Sequence, residues 1–264
     1  MVSPREKKQV VKLPWDLPLR IDITEYIGQN IWLYGLFDLP ECEVLFRILG
    51  PGDIAVDVGA NIGQMTNLMA YRVGAQGKVF AFEPQPDIFE ELRFNMNLLA
   101  HQAQRAANIV LHDYAVGDSN GESHLEWNQD FQSNRGLARL GNTSKAGIAV
   151  QTVTLDKMFA GQRITLLKID VEGLEDKVLQ GAESLLKDRR IQHIVYEDRG
   201  GVGSAVHERL RGLGYTLYEI NFWADAFPLL KTLQSAEANN YLATLDPAAV
   251  ESKFQEARWR VLNP

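Results

Sequence analysis

The chain has 264 residues, enough for one substantial core or for one domain with appendages. Apolar residues make up 45%, charged residues 23%, and the net charge of −7 disfavours nucleic acid or an anionic membrane surface as partner. Cys42 is the single cysteine, which excludes an intrachain disulfide and a thiolate metal cage.

In chain order, residues 1–13 are polar and basic and lack the apolar stretch of a signal peptide. No apolar run approaches the about 20 residues that span a bilayer, so a cytoplasmic protein with no membrane partner is expected. Residues 1–48 precede the first buried strand and carry Trp15, Ile21, Ile23, Trp32, Tyr34 and Phe37. That apolar bulk predicts an N-terminal segment packed on a main domain over residues 49–264. The turn "PGD" at 51–53 leads into the apolar run 54–58, a strand buried on both faces as in a parallel sheet. Gly59, Asn61 and Gly63 punctuate its end, and residues 66–73 read as helix. A second strand, 78–82, ends at Glu83-Pro84. Asp87 is placed to cap the next helix, where Ile88, Leu92, Met96 and Leu99 keep helical spacing.

A third strand, 109–114, runs into "AVGD" at 115–118. Residues 119–150 interrupt the rhythm as an insertion: "GESHLEW" reads as a hairpin strand, followed by a long polar loop. "VQTVTL" is strand-like, 164–169 is a strand ending at Asp170, and 175–186 is a helix with Val178, Leu179, Leu185 and Leu186 at core spacing. Residues 191–196 form a strand ending at Glu197, and 204–213 are helical. "YTLYEI" and "NYLATL" are closing strands, and Asp246-Pro247 starts a last helix. Alternating strands and helices predict an α/β doubly wound sheet, whose ligands bind at the carboxyl ends of its strands.

Four turns collect there: 57–63, Glu83-Pro84, 115–118 and 170–173. Glu83 follows Gly63 by twenty residues at the next strand end, where a carboxylate accepts hydrogen bonds from the ribose of a nucleoside cofactor. NAD(P) and S-adenosylmethionine both suit such a turn. A pyrophosphate wants G-x-G-x-x-G with bare N–H groups, whereas this chain reads D-x-G-x-N-x-G, and Asp57 would repel phosphate. S-adenosylmethionine carries an ammonium and a cationic sulfur, which acidic neighbours help, and Asn61 tolerates positive φ. The sulfonium cofactor is the better match.

The stretches "VDVGANIGQMT", "VFAFEPQPDIFEEL", "AVGD" and "LLKIDVEGLEDKVLQGAESLL" resemble the FkbM family of S-adenosylmethionine-dependent methyltransferases. The resemblance spans residues 31–200 in order and spacing, with "GLFDLPECEVLFRILGPGD" similar to the segment before that family's first strand. It implies a class I methyltransferase, Rossmann-like fold of seven strands with the last antiparallel. It also implies methyl transfer to a hydroxyl of a sugar or secondary metabolite. Carried over by position, Asp57, Gly59, Asn61 and Gly63 would line the methionine part of the cofactor and Glu83, with Pro84 beside it, the ribose. Ala115 and Val116 would flank the adenine, and Asp170 would lie near the methyl group. The family often reads K-I-D-V-E-G-H-E, and Leu174 stands here at the histidine position.

A hydroxyl acceptor must lose a proton, to a carboxylate or histidine base or to a metal that acidifies it. Asp170, Glu172 and Glu197, at the ends of the fourth and fifth main strands, are the candidate bases. A divalent ion on these oxygens is the competing arrangement, and metal-free catalysis is the reading preferred. Of the histidines, His193 sits at the opposite end of its strand, His101 and His207 lie on helices, and His112 and His124 are assigned structural or solvated roles. Trp127, Phe131, Asn134 and Arg135 of the insertion are candidates to shape an acceptor pocket. The competing functions are N- or peptide methylation, an oxidoreductase, and a non-catalytic S-adenosylmethionine-binding module. The N-P-P-Y signature of many amine and nucleic-acid methylators is absent.

Overall fold

The computed structural model describes residues 7–100, 108–126, 139–141, 147–220, 229–233 and 239–264. The N-terminal region folds as a hairpin and two helices. Lys8–Lys12 (β1) and Pro18–Asp22 (β2) pair antiparallel, followed by Tyr26–Tyr34 (α1) and Leu39–Ile48 (α2). Asp38 caps α2 by accepting from the Glu41 N–H, and Pro40 suits the first turn because it needs no donor there.

Next come Ile54–Val58 (β3), Gln64–Val73 (α3), Lys78–Phe82 (β4), Pro86–Ala100 (α4) and Asn108–His112 (β5). Ala115–Val116 (β6), Gly121–Glu126 (β7), Arg139–Gly141 (β8) and Ile148–Val153 (β9) follow. After Leu155–Met158 (α5) follow Ile164–Ile169 (β10), Glu175–Gln180 (α6), Glu183–Lys187 (α7), Ile191–Glu197 (β11) and Ala205–Gly212 (α8). Thr216–Ile220 (β12), Leu230–Thr232 (β13), Asn240–Thr244 (β14) and Pro247–Lys253 (α9) close the described chain.

The central sheet has eight described strands in the order β13-β12-β14-β11-β10-β3-β4-β5. The run from β11 to β5 is parallel, and β14 enters antiparallel to both β11 and β12. This is the class I arrangement with β13 added at the edge, one strand more than the seven expected. A second sheet of order β6-β9-β7-β8 packs beside it.

Alternation along the strands sorts the core into two layers. Ala55, Val79, Ala81 and Leu166 join the cluster under the hairpin, α2, α3 and α4, whereas Val56, Val58, Phe82, Leu167 and Ile169 join the cluster under α6, α7 and α8. Asp57 and Lys168, register partners on β3 and β10, therefore share the first layer with α2 and α3.

Local departures from the expected elements have identifiable causes. The helix expected over 175–186 breaks into α6 and α7 at Gly181, where a Cβ would come within 1.9 Å of the Gly117 carbonyl oxygen. α4 starts at Pro86, so Asp87 lies inside the first turn rather than capping it. On α1 only Gly28 and Ile31 are buried; Trp32 and Tyr34, expected in the core, face outward at 51% and 74% exposure. Cys42 is a small core residue against Met65.

The hairpin is fastened by two buried asparagines. Asn67 accepts from the Trp15 indole N–H at 2.6 Å and donates to the Pro18 carbonyl; Asn95 pairs with both backbone groups of Arg20. At the other end of α2, the buried Arg47 guanidinium donates to Glu43 at 2.6 Å, to the Lys253 carbonyl at 2.8 Å, and to the carbonyls of Glu256 and Arg258. Glu43, also fully buried, accepts the Arg260 and Val261 N–H groups at 2.9 and 2.8 Å. Removing one partner of such a pair leaves an uncompensated buried charge, at a cost of about 3–5 kcal/mol. Arg47→Met should therefore lower unfolding stability in urea by that amount, with partial recovery in the Arg47→Met/Glu43→Leu double variant. A loss below about 1 kcal/mol would mean that the C-terminal segment is held by other contacts.

Candidate active site

A cavity of about 300 Å³ opens where the parallel strands end. Tyr114, Ala115 and Val116, after β5, form one end together with Leu125 of β7. Glu83 and Pro84 follow β4, Gly59 and Asn61 follow β3, and Asp170 and Glu172 follow β10. Glu197, the last residue of β11, and Arg199 beyond it close the far end.

The glycine turn is shaped by its neighbours. Gly59 has φ +81, and a Cβ there would sit 1.9 Å from the Asp170 carbonyl oxygen, so β3 and β10 approach this closely only because the side chain is missing. Its N–H and that of Ala60 both donate to the Phe82 carbonyl at 3.0 Å. Asn61 takes φ 50, its side chain accepting from the Ile62 N–H, and its own N–H donates to Glu83 Oε2 at 3.0 Å. The Gln85 N–H holds Glu83 Oε1 at the same distance. Each carboxylate oxygen thus keeps acceptor capacity for a ligand.

Two residues expected against a ligand lie elsewhere. Asp57 is fully buried beneath the cavity floor because strand alternation turns it toward α3, where Thr66 donates to Oδ2 at 2.6 Å and Lys168 Nζ lies 3.6 Å from Oδ1. Gly63 starts α3 with φ +92, and a Cβ there would meet Leu92 and Met96 of α4 at 2.6 and 2.8 Å. Its role is helix packing, not contact with the cavity.

Asp38, Glu41 and Asn240 form a wall, backed by the buried Lys168, that sequence reasoning did not include. Glu41 and Lys168 are buried, at 7% and 2% exposure. Lys168 Nζ lies 3.4 Å from Asp170 Oδ2, and Asn240 donates to Asp38 Oδ2 at 2.9 Å, clamping the start of α2 across the sheet to β14. Burial opposes the charge on Lys168, but Asp170, Asp57 and Glu41 outweigh it and hold the ammonium above the ordinary lysine range. Burial pushes Asp38, Asp57 and Glu41 up, Glu41 most strongly, with Lys168 pulling each of them back. Asp38, Asn61 and Glu172 all have positive φ and all line this cavity, and such strain gathers at functional sites.

At the far end, Arg199 bridges the other two candidate bases, 3.6 Å from Glu172 Oε2 and 2.9 Å from Glu197 Oε1. Leu174 lines the same cavity. His193 is remote, buried against Thr244 at 2.9 Å with its pKa lowered to about 4 by burial, and the His112 ring stacks between Phe82 and Tyr114. Trp127, Phe131, Asn134 and Arg135, together with His101, lie outside the described residues. Among the described residues no group of three or more His, Cys, Asp or Glu is spaced to hold a metal ion.

Burial raises the Glu83 pKa to about 7, although its two backbone N–H donors favour the charged form. The unfolded chain has the ordinary value near 4.5, so the folded state holds this proton more tightly. Glu83 therefore adds stability at acid pH that is lost as pH rises from 4.5 through about 7. At about 1.4 kcal/mol per unit, the swing is about 3 kcal/mol. Urea unfolding of the ligand-free protein at pH 5 and pH 8 should show this loss in the wild type relative to Glu83→Gln. Parallel pH profiles for the two proteins would place the titrating group elsewhere.

Residues 57–217 match the Methyltransferase FkbM domain family. The 31-O-demethyl-FK506 methyltransferase FkbM of Streptomyces tacrolimicus is 31% identical over 225 residues, covering 72% of this chain and 83% of that protein. The hexuronic acid methyltransferase AglP of Haloferax volcanii is 27% identical over 154 residues, 57% of each chain. The AMB antimetabolite synthetase AmbE of Pseudomonas aeruginosa is 28% identical over 93% of this chain, which spans only 13% of that protein's length. With the matched segment running from Asp57 at the end of β3 to Leu217 in β12, and so through every strand end of the cavity, the chain belongs to the FkbM family of S-adenosylmethionine-dependent methyltransferases.

Proposed function

We propose that this protein transfers a methyl group from S-adenosylmethionine to a hydroxyl of a small-molecule acceptor, a sugar or secondary metabolite. The observation that carries the reading is the Glu83 carboxylate, fixed by the Asn61 and Gln85 N–H groups at one part of a cavity whose other end holds Asp170, Glu172 and Glu197. The residues fit the cofactor: Glu83 has free acceptor capacity for two ribose hydroxyls, Gly59 leaves the backbone bare beside it, and Tyr114, Val116 and Leu125 offer an apolar end for a base. When bound, the cofactor supplies an electrophilic methyl group on a sulfonium centre.

The chain's own work is then to orient the acceptor and take its proton. Asp170 is the base we assign. Lys168 engages its Oδ2 from below, while the side chain is 46% exposed and Oδ1 stays available for the hydroxyl proton. Glu172 and Glu197, steadied by Arg199, offer acceptor oxygens that position a polyhydroxyl ligand. The two relatives whose names specify 31-O-demethyl-FK506 and a hexuronic acid support a hydroxyl acceptor of this class. The acidic rim and the net charge of −7 support a small molecule over nucleic acid. No described helix is long and apolar enough to cross a membrane.

Titration calorimetry should show binding of S-adenosylmethionine and none of NADH; the reverse preference ends the reading. With the acceptor identified, Asp170→Asn should lower kcat about a hundredfold or more, in the range of a lost general base. Affinity for S-adenosylhomocysteine should stay within about threefold, under 1 kcal/mol. Turnover should also survive exhaustive EDTA treatment. Activity lost to the chelator and restored by Mg²⁺ or Mn²⁺ would replace the bare carboxylate with a metal-assisted mechanism.

A further inference from the structure

The cavity wall below Asp170 has a charge imbalance that the groups described so far do not resolve. Asp38, Glu41, Asp57 and Asp170 surround one ammonium, that of Lys168. Glu41 and Asp57 are buried, Asp38 is partly buried and Asp170 is 46% exposed, and this excess of carboxylates over one buried ammonium favours protons or a further cation. Three of the four already have close partners. Asp38 accepts from the Glu41 N–H and from Asn240, both at 2.9 Å. Asp57 takes the Thr66 hydroxyl at 2.6 Å, and Asp170 faces Lys168 at 3.4 Å.

Glu41 is the one left over. It is 7% exposed, it lines the cavity, and no described residue donates a hydrogen bond to its carboxylate. It sits in the first turn of α2, where the N–H groups at the helix start favour a negative charge. A buried acceptor aimed into a ligand cavity and lacking a donor is a place for a donor to arrive.

We infer that Glu41 is the cation seat of this cavity, receiving the α-ammonium at the amino-acid end of the cofactor, with Asp38 beside it. The inference rests on the methyltransferase reading above. Chain position supports that end of the ligand: Gly59 and Asp170 lie next to the α2 wall, whereas Glu83 and the apolar base site lie on the far side of β3 in the strand order. An ammonium has three N–H donors, enough to satisfy Glu41 and reach a second oxygen. Burial raises the Glu41 pKa against the pull of Lys168, and an arriving ammonium lowers it, so binding favours loss of a proton from this carboxyl to solvent. The groups facing Glu41 are Asp38 on its own helix cap, Lys168 on β10, Asp170 just after that strand, and Asp57 on β3.

Two nucleosides separate this seat from the rest of the site. S-adenosylhomocysteine carries the amino-acid end; 5′-methylthioadenosine lacks it and keeps the ribose and base. By titration calorimetry, Glu41→Gln should weaken S-adenosylhomocysteine about 10- to 100-fold, the cost of one charge-assisted hydrogen bond. It should leave 5′-methylthioadenosine within about threefold of wild type. Equal losses for both nucleosides, or no loss for S-adenosylhomocysteine, would overturn the assignment. A second measurement needs only the wild type. In buffers of different ionisation enthalpy at pH 7, S-adenosylhomocysteine should release more protons than 5′-methylthioadenosine. Glu83 cancels in that comparison because both ligands carry the ribose, so equal proton counts would also overturn the seat. If wild type binds neither nucleoside, the methyltransferase reading itself fails and the inference with it.

Discussion

The ammonium of Lys168 is the interaction on which the site depends. Parallel register sets Lys168 beside Asp57 on the same face of neighbouring strands, and the next outward residue on β10's side is Asp170. Burying a lone ammonium costs several kcal/mol, and burying Asp57 without it costs as much. Neither charge is tenable without the other. The carboxylates win decisively over desolvation, since the Lys168 pKa is pushed up rather than down. That outcome ties the cavity floor, the candidate base and the α2 wall to one cation, so a change at any of them is felt at the other two.

The fold bears the cost of this arrangement elsewhere. Asp38, Asn61 and Glu172 hold positive φ without being glycine, and Glu83 keeps a carboxylate where burial resists ionisation. What offsets these terms lies at a distance. Asn67 and Asn95 fasten the hairpin over α3 and α4, and Glu43 with Arg47 fastens α2 to the C-terminal segment. α2 is thus gripped at both ends, by Asn240 on Asp38 and by backbone carbonyls on Arg47. The segment before the first sheet strand is therefore part of the cavity wall and not a cover over it.

Much of this was legible in residue order. Buried strands such as 54–58 and 164–169 show as unbroken apolar runs, and a carboxylate twenty residues after a glycine turn marks the next strand end, which is why Gly59, Asn61, Glu83, Asp170, Glu172 and Glu197 line one cavity. The misses share a cause. Whether Asp57 faces ligand or helix depends on strand alternation carried to the last residue, and Gly63 is glycine because of Leu92 and Met96, some thirty positions away. The break at Gly181 answers to Gly117 in another element, and Glu41 reaches Lys168 only through the crossing of α2 over the sheet. Local pattern reports periodicity; it does not report which distant chain arrives. Trp32 and Tyr34 show the reverse case, apolar residues whose helix buries a different side.

The two ends of the cavity differ in how their carboxylates are balanced, and that difference orients the chemistry. Beside the α2 wall, acids outnumber the one buried cation, a setting that attracts positive charge. Past Asp170, Glu172 and Glu197 share the exposed Arg199 at 3.6 and 2.9 Å, so their charge is partly neutralised. A neutral hydroxyl ligand meets fixed acceptors there without being outcompeted by cations. Asp170 sits at the boundary, with one oxygen held by Lys168 and the other toward the open cavity. A carboxylate so placed is steadied in orientation by the buried ammonium on one side while its free oxygen meets the neutral side. Leu174 adds an apolar surface at this junction, where a histidine would have brought a second titrating group next to Asp170. With Leu174 there, the base we propose is a carboxylate whose position is set by the end of a sheet strand and the buried Lys168 beneath it.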